Sequence, residues 1–404
     1  MSEEENKEEI KQNDNLSDKD EELLNNLKIS INDKITNDNE INEIKIDENK
    51  IEAETNNKYI KKYKSNDSRL YGITFQSSIE SNIINFAVSS LNISKDNNIS
   101  LLSFHQEDLE GEDEEEEKNT IETNSNNNIN LSENNSIKLK SQVKCNFPVS
   151  SILFSPHEEN KNLLISTSDL LSVYSYEEEQ LNLIVAFERK TKNYCGPLTS
   201  CDWSRANNAI IGVSSVDHTC SIWDLNKREE KYMIIAHDKE VYDISLGPDE
   251  FIFMSTGADG SVRLFDSRQA NSSSIIFETR DESAMTRLKW NLVNPNFILT
   301  VIVDKNEIYI LDQRKLNAPY GILKVHTNVV NNAIWAPQSN SNLISVSDDK
   351  SALLWDIYCD SEKPEEYIMK YEAENEIENV AWGEVTQNWI GIIDGNQAEI
   401  LRIQ

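Results

Sequence analysis

From Tyr71 onward the chain alternates apolar and polar residues in short runs, broken by Asp, Asn, Ser or Gly. A period of two puts every second side chain on one face, which predicts half-buried strands rather than helices. Strands of this kind at regular spacing point to an all-β sandwich, barrel or propeller. Upstream of Asn57, and again around residues 106–136, the alternation is lost.

The strands repeat as units. Each opens with an alternating strand ending in an aromatic residue or Leu, followed by a second strand, an Asp-containing turn and a third strand. Seven openings align, at residues 71–75, 151–154, 198–203, 241–246, 285–290, 330–335 and 377–382. From the third unit on, their starts are 43, 44, 45 and 47 residues apart. About 40–45 residues is the period of one four-stranded WD40 blade.

Four third strands end in an aromatic residue or Leu followed by Asp: Trp223-Asp224, Phe265-Asp266, Leu311-Asp312 and Trp355-Asp356. His237 and His326 stand where such repeats carry Gly-His. In the sixth unit His326, Ser345, Asp349 and Trp355 complete a polar set. The fourth has His237, Ser255 and Asp259, with Phe265 in place of Trp. The third keeps Asp217 and Trp223 but has Val213 at the Ser position. A buried set of this kind is costly unless satisfied throughout, so its expected role is to tie the turns of a blade together.

Seven units predict a seven-bladed WD40 β-propeller over residues 57–404. Without an acidic insertion, 105–137 at its widest, roughly 317 residues remain, about 45 per blade. The seventh unit holds only three strands before Gln404, so its outer strand is expected from residues 57–66. There Tyr59 and Tyr63 share a face, and the lysines suit an exposed edge.

Charge divides the chain further. The formal net charge is −32, from 39 Lys+Arg and 71 Asp+Glu. Residues 1–56 hold 18 Asp+Glu, 7 Lys and no aromatic residue, and residues 107–117 add nine acids ahead of an Asn-rich tract. These two segments carry more than half of the net charge, and both are expected to be disordered. Their like charges repel, and nothing apolar offsets the entropy of ordering them. The tail reads either as an attractor for a basic partner such as a histone or as low-complexity padding. So acidic a chain repels phosphates and is not expected to bind nucleic acid directly. No apolar run approaches about 18 residues, and the first twenty residues hold no apolar stretch. Neither a membrane span nor a secretory signal is therefore expected. Cys145, Cys195, Cys201, Cys220 and Cys359 form no C-x-x-C and read as reduced thiols of an intracellular protein.

Longer words are more specific than W-D pairs. Asn193-Tyr-Cys-Gly-Pro-Leu-Thr-Ser-Cys-Asp-Trp203, Ile235-Ala-His-Asp-Lys-Glu-Val-Tyr-Asp-Ile244 and Gly257-Ala-Asp-Gly-Ser-Val-Arg-Leu-Phe-Asp266 stand out, with Trp335-Ala-Pro337 and Glu399-Ile-Leu-Arg-Ile403. In these words the chain resembles the damaged-DNA-binding-protein/cullin-4-associated factor 7 family of WD40 proteins, whose plant members include transparent testa glabra. The resemblance implies a non-enzymatic scaffold, monomeric by itself, acting in cytoplasm and nucleus. The partners it implies are regulatory protein kinases and transcription factors. It also implies a second role as a substrate receptor of cullin-4 ubiquitin ligases, docked through W-D-x-R at a blade end. The matching positions are Asp266 with Arg268 and Asp312 with Arg314, preceded by Phe265 and Leu311 instead of Trp. On the residues alone, Asp and Arg there equally suit a structural clip at the strand end. A histone-binding chaperone, resting on the acidic tail, is the third reading.

Catalytic motifs are missing. The five histidines have no metal-ligand spacing, and there is no P-loop, G-x-G-x-x-G or G-x-S-x-G among the 11 glycines. The chain is not expected to be an enzyme, and no cofactor is expected. Trp203, Trp290, Trp335 and Trp382 end first strands at one point of the repeat and are expected to pack between blades. Trp389 and Tyr194 lie off the repeat and are the aromatic candidates for a partner surface.

Overall fold

A computed structural model describes residues 60–65, 68–80, 82–93, 96–106, 137–189, 196–269, 272–358 and 367–403. The tail 1–56, the stretch 107–136, Tyr59, Tyr194, Cys195 and Cys359 lie outside these residues. Seven antiparallel sheets of four strands form a seven-bladed β-propeller. Six blades are built in chain order. Blade 1, for example, runs Leu70–Glu80, Ile83–Ser90, Asn97–His105 and Lys138–Cys145. His105 thus ends a strand, and Ile137 packs against the core, so neither belongs to the insertion.

Blade 7 closes the ring. Its own strands are Ile377–Trp382, Trp389–Asp394 and Gln397–Arg402, and Ile60–Lys64 adds the fourth, antiparallel to the third. The lysines of this strand are not all at an exposed edge. Alternation sends Lys61 and Tyr63 toward blade 1, where Lys61 is 4 % exposed. Its Nζ lies 5.3 Å from the Phe104 ring centre and donates to the His105 carbonyl at 3.3 Å. Lys62 faces the other way and meets the buried Glu399 carboxylate at 2.7 Å. Lys61 is thus the buried lysine of the strand, while Lys62 and Lys64 are exposed.

Strand register sorts the turns onto two ends. Ile210 pairs with Asp224, Ile252 with Asp266 and Phe297 with Asp312. Turns joining first to second and third to fourth strands therefore share one end, here the lower. Second-to-third turns and blade-to-blade connections share the upper end.

The core is divided into seven apolar clusters, each joining two neighbouring blades. One joins Ile165, Val173 and Phe187 of blade 2 to Trp203, Ile211 and Trp223 of blade 3. Trp203, Trp290 and Trp335 are buried in such clusters, as the repeat predicts, while Trp382 is only half-buried. Trp203, Trp290 and Trp382 also use the indole N–H to staple the next turn, donating to the carbonyls of Asn208, Pro295 and Gln387 at 2.9, 2.5 and 2.7 Å. Trp389 is no surface residue. At 1 % exposure it opens a strand buried along its whole length, edge-on to Phe104 with ring centres 4.9 Å apart. Cys201 and Cys220 are small core residues, their thiols pushed up to about 12 by burial.

A ring of polar bonds near the centre pins each blade to the next. The amide of Phe154 donates to Thr74 Oγ1 at 3.3 Å, Ser150 Oγ donates to the Leu198 carbonyl at 2.8 Å, and Thr199 Oγ1 to that of Val241 at 2.8 Å. Asp243 accepts from the Leu288 amide at 2.8 Å, and Arg287 Nε donates to the Asn331 carbonyl at 2.9 Å. Asn332 then donates to Asn379 at 2.6 Å, and Asn379 to the Tyr71 carbonyl at 2.8 Å. Apolar packing is non-directional, whereas these bonds fix the angle at which blades meet.

Asp394 is a misfit in blade 7. It is fully buried, and its Oδ1 has no hydrogen-bond partner. Burial first, and the Glu399 charge second, push its carboxyl up to about 6. An ordinary Asp titrates near about 3.9. Because the folded value lies above the unfolded one, the charged form opposes folding, and the penalty grows as pH rises from about 4 to about 6. Asp394→Asn is therefore expected to raise the melting temperature at pH 7.5. The gain should shrink between about pH 6 and about pH 4. A gain that does not vary with pH would contradict this origin.

Candidate functional site

The polar set of blade 6 lies at the upper end, and donor chemistry fixes its proton order. Trp355 Nε1, which can only donate, gives its proton to Ser345 Oγ at 2.8 Å. Ser345 then points its own proton at His326 Nε2, 2.7 Å away, so His326 is protonated on Nδ1 and donates to Asp349 at 2.9 Å. Asp349 also accepts from the Thr327 amide and from the amide and hydroxyl of Ser351. Burial lowers the His326 pKa despite the nearby carboxylate, which keeps the ring neutral. Asp349 resists burial through its hydrogen bonds and is held down to about 2.

Blade 4 repeats the arrangement. His237 lies 2.9 Å from Asp259 and 2.8 Å from Ser255. Phe265 stacks on Phe253, ring centres 5.1 Å apart, where blade 6 has its Trp. Arg263 adds a cation, donating to Asp259 and to Asp238 at 2.8 and 2.9 Å. In blade 3 the set is rebuilt rather than lost. Buried Arg189 pairs with Asp217, and Thr219 Oγ1 donates to the same carboxylate at 2.5 Å. Arg189 stands 28 residues before its Asp, against 22 and 23 for the two histidines, which hides it from a fixed-offset search. All three sets are inward-facing and structural.

The lower end presents the partner-binding candidates. Asp266 accepts from the Arg268 amide at 2.9 Å and takes a two-point grip from its guanidinium at 2.8 and 2.6 Å. Asp312 and Arg314 repeat the clip at 3.0, 2.8 and 2.7 Å. Each Arg holds its Asp below the usual carboxylate range, chiefly through these hydrogen bonds. The clip expected of the residues is thus present in both blades. The arginines remain 58 % and 60 % exposed while clipped, so one geometry serves both readings. The absent Trp does not disturb it. Phe265 and Leu311 point into the core, on the face opposite each Asp.

Beside the clips lies an apolar rim that sequence reading missed. Leu292, Val293, Leu316, Tyr320 and Tyr358 are exposed at this end of blades 5 and 6. Tyr320 and Tyr358 flank Phe297, with ring centres 4.9 and 6.1 Å from its own. Tyr358 follows Asp356 by two residues, the position that Arg takes in the other two words. It is also an electrostatic neighbour of Arg314. Exposed Tyr and Arg are among the side chains enriched at interface anchors. That alignment of Tyr358 with Arg268 and Arg314 was the available signal.

No helix among the described residues is long and apolar enough to cross a membrane, and no group of three His, Cys, Asp or Glu among them is placed to hold a metal. Residues 188–224, 228–266 and 317–356 match the WD domain, G-beta repeat. The chain is 35 % identical over 271 residues to the DDB1- and CUL4-associated factor 7 homolog of Dictyostelium discoideum, covering 65 % of this chain and 83 % of that protein. It is 31 % identical to an uncharacterized WD repeat-containing protein of Schizosaccharomyces pombe, covering 60 % of this chain and 62 % of the relative. A WD repeat-containing protein of Saccharomyces cerevisiae is 32 % identical, with 52 % of this chain and 48 % of the relative covered. With the propeller, the repeats and the near full-length match to the Dictyostelium protein together, the chain belongs to the DDB1- and CUL4-associated factor 7 family of WD40 proteins.

Proposed function

We propose that the protein is a non-enzymatic scaffold whose lower end docks partner proteins, regulatory kinases or transcription factors among them. The reading rests on the apolar rim of blades 5 and 6, where Tyr320, Tyr358 and Leu316 stand exposed beside Arg314. A platform of this kind works by co-localisation, since two bound partners meet at a raised effective concentration. It acts in cytoplasm and nucleus, which imaging of a fluorescent fusion would check. Substitution of Tyr320 and Tyr358 by Ala should remove kinases or transcription factors from an affinity purification, with only a small fall in melting temperature from the loss of their contacts to Phe297. Undiminished recovery would overturn the reading.

A second reading is favoured by the two Asp–Arg clips. The same end docks the adaptor of a cullin-4 ubiquitin ligase, as the name of the Dictyostelium relative suggests. Arg268→Ala with Arg314→Ala is expected to abolish recovery of adaptor and cullin at high salt. Both arginines are exposed, but Asp312 under Arg314 is buried, so recovery is compared at a temperature where the double variant's melting curve shows it folded. Full recovery from the double variant would exclude the clips as the contact. The histone-chaperone reading rests on the tail outside the described residues, and loss of histones on removing residues 1–56 would test it.

A further inference from the structure

Arg287 sits mid-strand in Met285–Trp290 with φ of 55°, in the left-handed region. At that point the pairing with the second strand slips, between Thr286 and Lys289. A bulge re-aims a side chain, and a strained non-glycine residue persists only where its surroundings hold it. Here the side chain is turned into the central channel, which residues on or beside the first strands of all seven blades line. The channel encloses about 210 Å³. This is room for several waters and falls short of the ~300–1,000 Å³ that drug-sized ligands occupy. It suits a small group.

The bonds of Arg287 leave it with capacity to spare. Nε donates to the Asn331 carbonyl at 2.9 Å and Nη2 to the Tyr71 hydroxyl at 3.0 Å, across the lumen from blade 5 to blade 1. Both partners are neutral. Among the described residues no carboxylate pairs with this guanidinium, and Nη1 has no hydrogen-bond acceptor. Burial works against its charge, yet Tyr71 and Asp243 keep its pKa raised. The acids of the lumen, by contrast, are already supplied with donors. Asp202 and Asp243 each accept a backbone amide of the next blade at 2.8 Å, from Leu246 and Leu288. Glu384 pairs with Arg205 across the lower mouth. Lys289 lines the same lumen, 3.8 Å from Asp243.

We propose that Arg287, assisted by Lys289, binds a small oxyanion in the central channel, a carboxylate or phosphate that is either free or carried on a partner's side chain. The site is independent of what docks on the lower rim. Its test is the melting temperature of the full chain titrated with sodium phosphate, against sodium chloride at matched ionic strength. The wild type should show a rise specific to phosphate, and Arg287→Gln should weaken the apparent affinity about tenfold or more, as for the loss of a charge-assisted bond. Lys289 makes no hydrogen bond that Lys289→Gln would break, so this variant should keep the fold and lose part of the rise. A short Gly-Ser peptide with one glutamate, compared with its glutamine twin, separates the sources. A rise with the glutamate peptide assigns a side chain and a rise with phosphate alone assigns a free anion, and either upholds the site. No rise beyond chloride with phosphate or peptide, or equal rises in wild type and both variants, overturns it.

Discussion

Removal of residues 1–55 will leave the melting temperature of the propeller unchanged, whereas removal of residues 1–66 will yield insoluble protein. The difference is the strand Ile60–Lys64, whose five residues pair with those from Gln397 to Leu401 and complete blade 7. Without it the Glu399 carboxylate, fully buried in the fold, loses the Lys62 ammonium. An unpaired buried charge costs about 3–5 kcal/mol, a large part of the ~5–15 kcal/mol by which a domain is stable. The Tyr371 hydroxyl, which donates to Glu399 at 2.6 Å, cannot compensate for a missing cation. Blade 1 loses the Lys61 ammonium from over the Phe104 ring, and the strand Gln397–Arg402 becomes an open edge that other chains can pair with. Lys62→Met in the full chain separates charge from strand: it should lower the melting temperature while leaving the protein soluble. Soluble 67–404 protein that unfolds cooperatively at the wild-type temperature would refute ring closure by this strand.

Sequence pattern made the architecture legible because blades are built from local signals. Alternation, an aromatic strand end and an Asp turn recur at one period, and each can be read within some 45 residues. What holds the blades to one another was not legible. The pins run between residues 42 to 80 positions apart or across the ring, and most of their side chains are Ser, Thr, Asp and Asn that read as ordinary polar positions of an alternating strand. Arg189 was missed because a guanidinium reaches its Asp from a different offset than an imidazole. Lys61 was misjudged because composition alone places lysine outside, while the strand's alternation gives it an inward face where its stem packs and its tip finds a carbonyl. Trp389 was misjudged for the opposite reason. Lying off the repeat, it looked like a surface residue, but blade 1 brings Phe104 against it through the ring closure. The clips were visible as residues, yet only the structure shows that binding its own Asp leaves each Arg open to a partner.

Asp349→Ala will destabilise the propeller by about 3–5 kcal/mol, several times the effect of an average surface substitution. The carboxylate ends a chain of single-direction donors, so its loss orphans His326 Nδ1–H, the Thr327 amide and the amide and hydroxyl of Ser351. Each buried donor left unmet costs about 1–3 kcal/mol, and partial exposure of this turn lets water recover some of it. The proton order makes the cost cooperative. Ser345→Ala breaks the same chain from its middle, orphaning Trp355 Nε1 and His326 Nε2. The double variant should therefore fall well short of the sum of the single ones in a double-mutant cycle. The effect also carries a pH signature. The folded pKa of Asp349, about 2, lies below the unfolded value, so its stabilisation is fully present above about pH 4 and is lost as pH falls through about 2. The gap in melting temperature between wild type and Asp349→Ala should accordingly be constant from pH 7 to about pH 5 and narrow below about pH 4. Trp355→Phe provides the control, since blade 4 shows that an aromatic ring without the indole N–H is tolerated there. It should cost less than Asp349→Ala and show no narrowing in acid. Strict additivity of Asp349→Ala and Ser345→Ala, or a gap that persists unchanged at pH 3, would mean that the four groups are separate contacts and not one chain.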